Sequence, residues 1–243
     1  HITPVEFGFG GSKDVPTAKT PEAFRNWIDE IFIPQKIQEA KIAEKLKMET
    51  FKLIPPQDPR VLSCIAPFSD DMLKDTDIKD RKDLSNKMFK TMNKYSGLGL
   101  SANQCGLPFR MFVMGDNLLL ENGEKLAAFN PKIIEKLPSD ERYREEILMK
   151  EGCLTFPFLF LNINRPRIVE VEYEDVEGKV IKKDLDGMFS RIYQHEYDHM
   201  QGIVFTDRAS KLKLDMAKKK QMKMIKEYAK KVGKHISEGG SKS

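Results

Sequence analysis

At 243 residues, with 40% hydrophobic and 32% charged residues, the chain has apolar material for a real core: one ordinary domain with an appendage, or two small ones. No run approaches the ~20 apolar residues a membrane span needs. Three widely separated cysteines (Cys64, Cys105, Cys153) argue against a disulfide framework and for a reducing compartment, cytoplasmic, or organellar in a eukaryotic source. The net charge of +4 is uneven, because Lys211 to Lys234 holds ten lysines against two acids, Asp215 and Glu227. The basicity belongs to one tail, which argues against nucleic-acid binding by the whole surface.

Residues 1–20 are rich in Gly, Pro, Ser and Thr and read as a loose arm. Thr20-Pro21-Glu22 is a helix start, with Thr20 as N-cap and proline at the first helical position, for a helix to about Phe32. A second helix is expected over Gln35 to Lys47, with Ile37, Ala40, Ile42, Ala43 and Leu46 on a rough apolar face. Phe51 to Ile54 is a strand candidate ahead of a proline-rich turn ending near Pro59. Asp80 to Tyr95 spaces Leu84, Met88, Phe89 and Met92 as one helical stripe, with Gly97 beyond its end.

From 109 to 186 the period changes to that of strands: Phe109 to Met114, Lys125 to Phe129, Lys132 to Leu137, Ile168 to Tyr173 and Lys179 to Leu185. Turns at Glu121-Asn122-Gly123 and Glu177-Gly178 join neighbours as hairpins, so the pairing should be mostly antiparallel. A buried helix around 187–202, a short strand at Ile203 to Phe205 and a helix from about Lys213 to Val232 follow. The expected fold class is α+β: mostly antiparallel β-sheets packed around a central helix, with an N-terminal helical extension and a C-terminal helix. The domain limits expected are 1–50 for the extension, 51–210 for the main domain and 211–243 for the basic helix and tail.

The chemistry concentrates in Gln194-His195-Glu196-Tyr197-Asp198-His199. Two histidines four apart lie one above the other on a helix and can grip one metal ion, and the adjacent Glu196 can take a proton from a metal-bound water. Such a pair also arises by chance, and a catalytic site needs a third ligand. Downstream, the position where one metallopeptidase group carries its third histidine holds Phe205, and the later Glu227 lies in the lysine-rich tail. Upstream, Glu151-Gly152-Cys153-Leu154-Thr155 offers a thiolate suited to zinc or ferrous iron, with Gly152 permitting close backbone approach. Cys153 taken alone reads first as an inert buried thiol; Cys64 is read as structural in the same way, and Cys105 could share that reading although it falls in a loop. A third stretch, Gly97-Leu98-Gly99-Leu100-Ser101-Ala102-Asn103-Gln104, reads either as a helix end with a tight turn or as backbone lying against an extended ligand, with Gln104 donating to a carbonyl oxygen.

Together, in this order, the three stretches resemble the peptide deformylase family, whose members carry a G-φ-G-φ-A-A-x-Q loop, an E-G-C-φ-S segment and a Q-H-E-φ-D-H helix (φ apolar). The resemblance spans about Phe51 to Asp207 and leaves residues 1–50 outside. Ser101 stands in place of the first loop alanine, a small change, and Thr155 in place of the serine. The resemblance implies removal of the formyl group from the N-terminal methionine of new proteins. It implies Cys153, His195 and His199 as ligands of one divalent metal, Fe2+ physiologically, with Zn2+, Ni2+ or Co2+ able to substitute. Glu196 would be the proton carrier, and the Gln104 side chain with the Leu154 N–H the oxyanion donors. Leu98, Met149, Leu154, Met188 and Ile192 would line the methionine pocket. Gly99 and Gly152 would leave backbone free to pair with the peptide. Glu151 is placed beside the substrate segment and expected to pair with Arg165 or Arg167, and Asp198 is read as support for a ligand. The partners implied are nascent formyl-methionyl peptides and, through the basic helix, the ribosome. A zinc endopeptidase using Glu227, and a binding module without activity, are the alternatives from other classes.

Overall fold

The computed structural model describes residues 50–115, 125–134 and 141–239, with side chains to residue 230. The chain divides into two units, His1–Met48 and Glu49–Ser243. The two helices expected before Lys47 and the turn at 121–123 lie outside the described residues. In chain order the second unit contains helix α1 (Arg81–Lys94), strands β1 (Gly99–Ser101), β2 (Met111–Gly115), β3 (Lys125–Ile134), β4 (Glu146–Cys153), β5 (Phe156–Pro166), β6 (Ile168–Glu174) and β7 (Val180–Asp186), and helices α2 (Gly187–Met200) and α3 (Lys211–Gly239).

Five strands form one antiparallel sheet in the order β1-β2-β3-β6-β7, and β4 pairs antiparallel with β5 in a second. The fold is the expected α+β. All five residues of β2 are buried, because both sheet faces are covered. Phe112 and Met114 point into a cluster with Val171, Tyr173, Ile192, Tyr193 and Met200, while Met111 and Val113 point into another with Leu84, Met88, Met92, Leu100 and Phe129. The first cluster is closed by α2 and the second by α1. A third, of Leu159, Leu161, Ile163 and Phe205, is closed by the inner face of α3, where Leu214 and Ala217 pack.

Several local expectations change. Phe51 to Ile54 is extended but joins no ladder; it is fastened by Phe51 N–H to Thr91 Oγ1 (2.9 Å) and Ile54 N–H to the Gln104 carbonyl (2.9 Å). The two strands expected between Lys125 and Leu137 are, over Lys125–Ile134, one strand (135–137 lie outside the described residues), broken in register between Phe129 and Lys132, where Asn130 takes φ 50° and its side chain ties to Phe68 and Glu174. Ile203 to Phe205 is not a strand, and Phe205 opens a 3-10 turn running to Arg208. Strands β4 and β5 were not anticipated, because their inward positions include Glu151 and Arg165, which break the apolar alternation.

Helix α1 starts as the pattern requires, with Asp80 Oδ1 accepting from Asp83 N–H (2.7 Å). Its other end is a surprise. Gly97 N–H bonds to the Met92 carbonyl and Ser96 N–H to the Asn93 carbonyl, so Ser96, not Gly97, takes the left-handed position, at φ 56°. Gly97 serves packing instead, since a Cβ there would lie 2.7 Å from Leu154 Cδ1. Replacing exposed Ser96 by glycine should therefore raise unfolding stability by about 0.5–1 kcal/mol in urea titrations; a decrease would remove the account of this helix end.

Candidate active site

Helix α2 is the centre of the site, and ten of its fourteen residues are buried, among them Arg191, His195, Glu196, Asp198 and His199. A helix so enclosed cannot be held by an apolar stripe alone, and it touches strands of both sheets. It ends cleanly: Gly202 (φ 72°) donates to the His199 carbonyl and Ile203 to the Asp198 carbonyl, and a Cβ on Gly202 would lie 2.6 Å from the Leu62 carbonyl oxygen. The glycine after the histidine pair is thus a helix stop, and Phe205 packs its ring 5.8 Å from that of His195.

Strand β4 alternates, so Met149, Glu151 and Cys153 share its inward face. The ligand atoms of Cys153, His195 and His199 lie within 4.8 Å of one another, with Cys153 Sγ 3.4 Å from His199 Nε2. Donors around one tetrahedral ion stand roughly 3.5 Å apart, so the three fit a single metal. His195 Nδ1 is 3.0 Å from Glu151 Oε2, which leaves its Nε2 for a ligand. Burial opposes charge on His195, but the Cys153 sulfur and the Glu151 carboxylate outweigh it and bring the imidazole up to about 10. Burial, reinforced by His195 and Arg165, drives His199 well below the usual imidazole range, keeping it neutral, the form that ligates.

Behind the three donor side chains lies a buried ion cluster. Arg165 binds Glu151 bidentately (Nε to Oε1 2.7 Å, Nη2 to Oε2 3.0 Å) and Asp198 through Nη1 (2.7 Å). Arg191 Nη1 adds a third hand on Glu151 (2.8 Å) and binds the Ile163 carbonyl (2.9 Å), and Arg208 grips Asp198. Burial alone would raise Glu151, but hydrogen bonds from His195 and Arg165 hold it far below the carboxylate range. Of the two arginines expected for Glu151, Arg165 is the partner; Arg167 pairs with Glu145 and Asp186. Both Glu151 oxygens are thus engaged by protein partners. Arg191 was missed in the sequence, although a charged residue one turn before His195 on an enclosed helix was the signal.

Gln104 is buried on a 3-10 turn, its Nε2 donating to Thr155 Oγ1 (2.9 Å) and lying 3.3 Å from Cys153 Sγ, its Oε1 accepting from Ser101 N–H (2.9 Å). Leu154 follows Cys153 in the tight β4–β5 turn and packs on the second cluster. Burial raises Glu196 above its ordinary value against the pull of His195 and Ser101. Of the expected pocket residues, Ile192 is 6% exposed inside the first cluster with Leu98 against it, Met149 is half-buried, and Met188 is 40% exposed on the first turn of α2. Gly152 faces Phe160 across the strand pair, where a Cβ would come within 2.8 Å of the ring. Glu227 is exposed on α3 beside Lys223, far in character from a buried ligand. Cys105 is half-buried, with desolvation pushing its thiol up to about 12, whereas Cys64 is exposed, contrary to its expected burial.

Substituting Glu151 by glutamine strands two buried guanidiniums and frees His195. It should cost about 3–5 kcal/mol of stability in denaturant melts and weaken metal retention about 10- to 100-fold in chelator competition. Unchanged melting and retention would remove the cluster from its supporting role.

The comparisons with known proteins fit this geometry. The polypeptide deformylase family model matches residues 66–215. A peptide deformylase of Wolbachia pipientis is 41% identical over 162 residues, 63% of this chain and 87% of that protein. One from Thermotoga neapolitana is 37% identical over 140 residues, 58% of this chain and 79% of that protein. The crystal structure of a peptide deformylase from Legionella pneumophila superposes with a TM-score of 0.60 at 29% identity, covering 74% of this chain and 98% of that one. The arrangement of sheets around an enclosed helix is therefore that of a known enzyme family, and the chain belongs to the polypeptide deformylases.

Proposed function

We propose that this chain removes the formyl group from the N-terminal methionine of nascent polypeptides, with Cys153, His195 and His199 holding one divalent metal ion. The observation that carries the reading is the convergence of those three donors within 4.8 Å beside the buried carboxylate of Glu196 and the amide of Gln104. A thiolate with two imidazoles suits Fe2+, with Zn2+, Ni2+ and Co2+ as substitutes. Such an ion supplies Lewis acidity, bringing the pKa of water from ~16 toward neutrality.

The remaining work falls to side chains. Glu196, raised by burial, takes a proton from the attacking water and returns it to the departing amine as the C–N bond breaks. Gln104 Nε2 and the Leu154 N–H donate to the oxygen that gains charge on the formyl carbon. The peptide runs as an added strand along β1, the end strand of the large sheet. Leu98, Met149, Leu154, Met188 and Ile192 receive the methionine side chain. In domain terms, residues 51–210 do the chemistry, 1–50 extend it, and 211–243 supply a basic docking helix. Among the described residues no helix is long and apolar enough to cross a membrane. The protein works in the reducing compartment where formyl-methionyl chains are made.

Protein loaded anaerobically with ferrous iron should release formate from formyl-Met-Ala-Ser. Glu196→Gln should keep its metal and lose about 10²–10⁴ in kcat, whereas Cys153→Ser should lose the metal. A folded, metal-loaded parent that releases no formate would falsify the reading.

The ribosome is the further partner we propose for α3. Leu214, Ala217, Gln221 and Met224 turn inward, and Lys219, Lys220, Lys223 and Lys226 are exposed on the other side. Because the inner face covers the third cluster, charge substitution tests docking more cleanly than deletion of the helix. Exchanging those four lysines for glutamate should leave turnover of the tripeptide intact and weaken ribosome binding at least tenfold at fixed salt; equal affinity at matched salt would exclude the helix as the contact.

A further inference from the structure

Ser101 lies in the loop between Gly97 and Gln104, and its hydroxyl has a definite partner. Ser101 is fully buried, and its Oγ lies 2.5 Å from Glu196 Oε2 and 3.3 Å from the Glu196 carbonyl. Gly99, two residues earlier on β1, faces the same side, and a Cβ there would fall 2.9 Å from Glu196 Cγ and Cδ. The carboxyl is thus wedged between the bare α-carbon of Gly99 and the Ser101 hydroxyl. Through its N–H, Ser101 also holds Gln104 Oε1 at 2.9 Å, turning the Gln104 NH2 toward Cys153 and Thr155. One residue of an end strand therefore fastens both the proton carrier and the oxyanion donor.

We infer that Ser101 is a positioning residue for the deformylase reaction: its hydroxyl donates to Oε2 of Glu196 and so directs Oε1 at the reacting atoms. This rests on the reading of Glu196 as proton carrier given above. The serine keeps its own proton. The proton removed from water travels on Oε1 to the amine nitrogen as the C–N bond breaks, and formate leaves. A hydroxyl fixed to one oxygen saves the carboxyl from having to settle its rotation at each turnover, which acts on kcat and not on peptide binding. The Gly99 side of the wedge performs the same service sterically.

The test is Ser101→Ala, with Ser101→Cys as a second variant that keeps the size and weakens the donor, each in the parent and in a Glu196→Ala background. With matched metal content, Ser101→Ala should lower kcat on formyl-Met-Ala-Ser about tenfold with KM within twofold, and Ser101→Cys should fall between it and the parent. In the Glu196→Ala background the residual rate should not drop further. Melting temperatures give a readout independent of activity: the loss from Ser101→Ala in the parent should shrink when Glu196 is absent, because the two groups are coupled. A kcat within twofold of the parent, a loss confined to KM, or equal losses in rate and melting in both backgrounds would each overturn the inference. An inactive parent would instead sink the deformylase reading itself, so the two failures are distinguishable.

Discussion

The Glu151 carboxylate is the constraint on which the site depends. It lies 6% exposed, yet it is ionised, because Arg165, Arg191 and His195 reach it from a strand and a helix. An uncompensated carboxylate there would cost several kcal/mol. Satisfied from three directions, it welds β4, β5 and α2 into one body. Cys153 two residues on and His195 across from it have their positions set by the same charge. The geometry of the donor set is thus fixed by ions that themselves need not touch a metal.

A second layer repeats the pattern around Asp198. It receives Arg165 from β5 and Arg208 from the turn after α2. Arg165 therefore bridges two acids, and the helix is clamped at one turn by Glu151 and at the next by Asp198. Neutral packing could match the volume, but it would not orient an imidazole by its Nδ1.

Legibility in the sequence followed the range of the interaction. The histidine pair, Glu196, Cys153 and Gln104 were readable because ligand spacing and ordered motifs are local properties. Strand β2 and the α1 stripe were readable because burial on one or two faces writes a simple period. Strands β4 and β5 were not, since Glu151 and Arg165 occupy inward positions and look like surface residues until their partners are known. The break in β3 was invisible for a similar reason: Asn130 is held by Phe68 and Glu174, 62 and 44 positions away. Ser101 looked like a minor departure because its partner lies 95 residues downstream. The apolar run at Ile203 to Phe205 misled because burial of a 3-10 turn beneath α3 demands the same residues as a strand.

The enclosure of α2 bears on how the protein is made. A helix with so little solvent-facing surface has no reason to persist before both sheets exist, and those sheets precede it in the chain. During synthesis, then, the strands through β7 emerge before the helix that carries His195 and His199. Arg208 and Phe205, which brace it, arrive only a few residues later. An enzyme that acts on unfinished chains thus cannot assemble its own catalytic centre until its main domain is nearly complete.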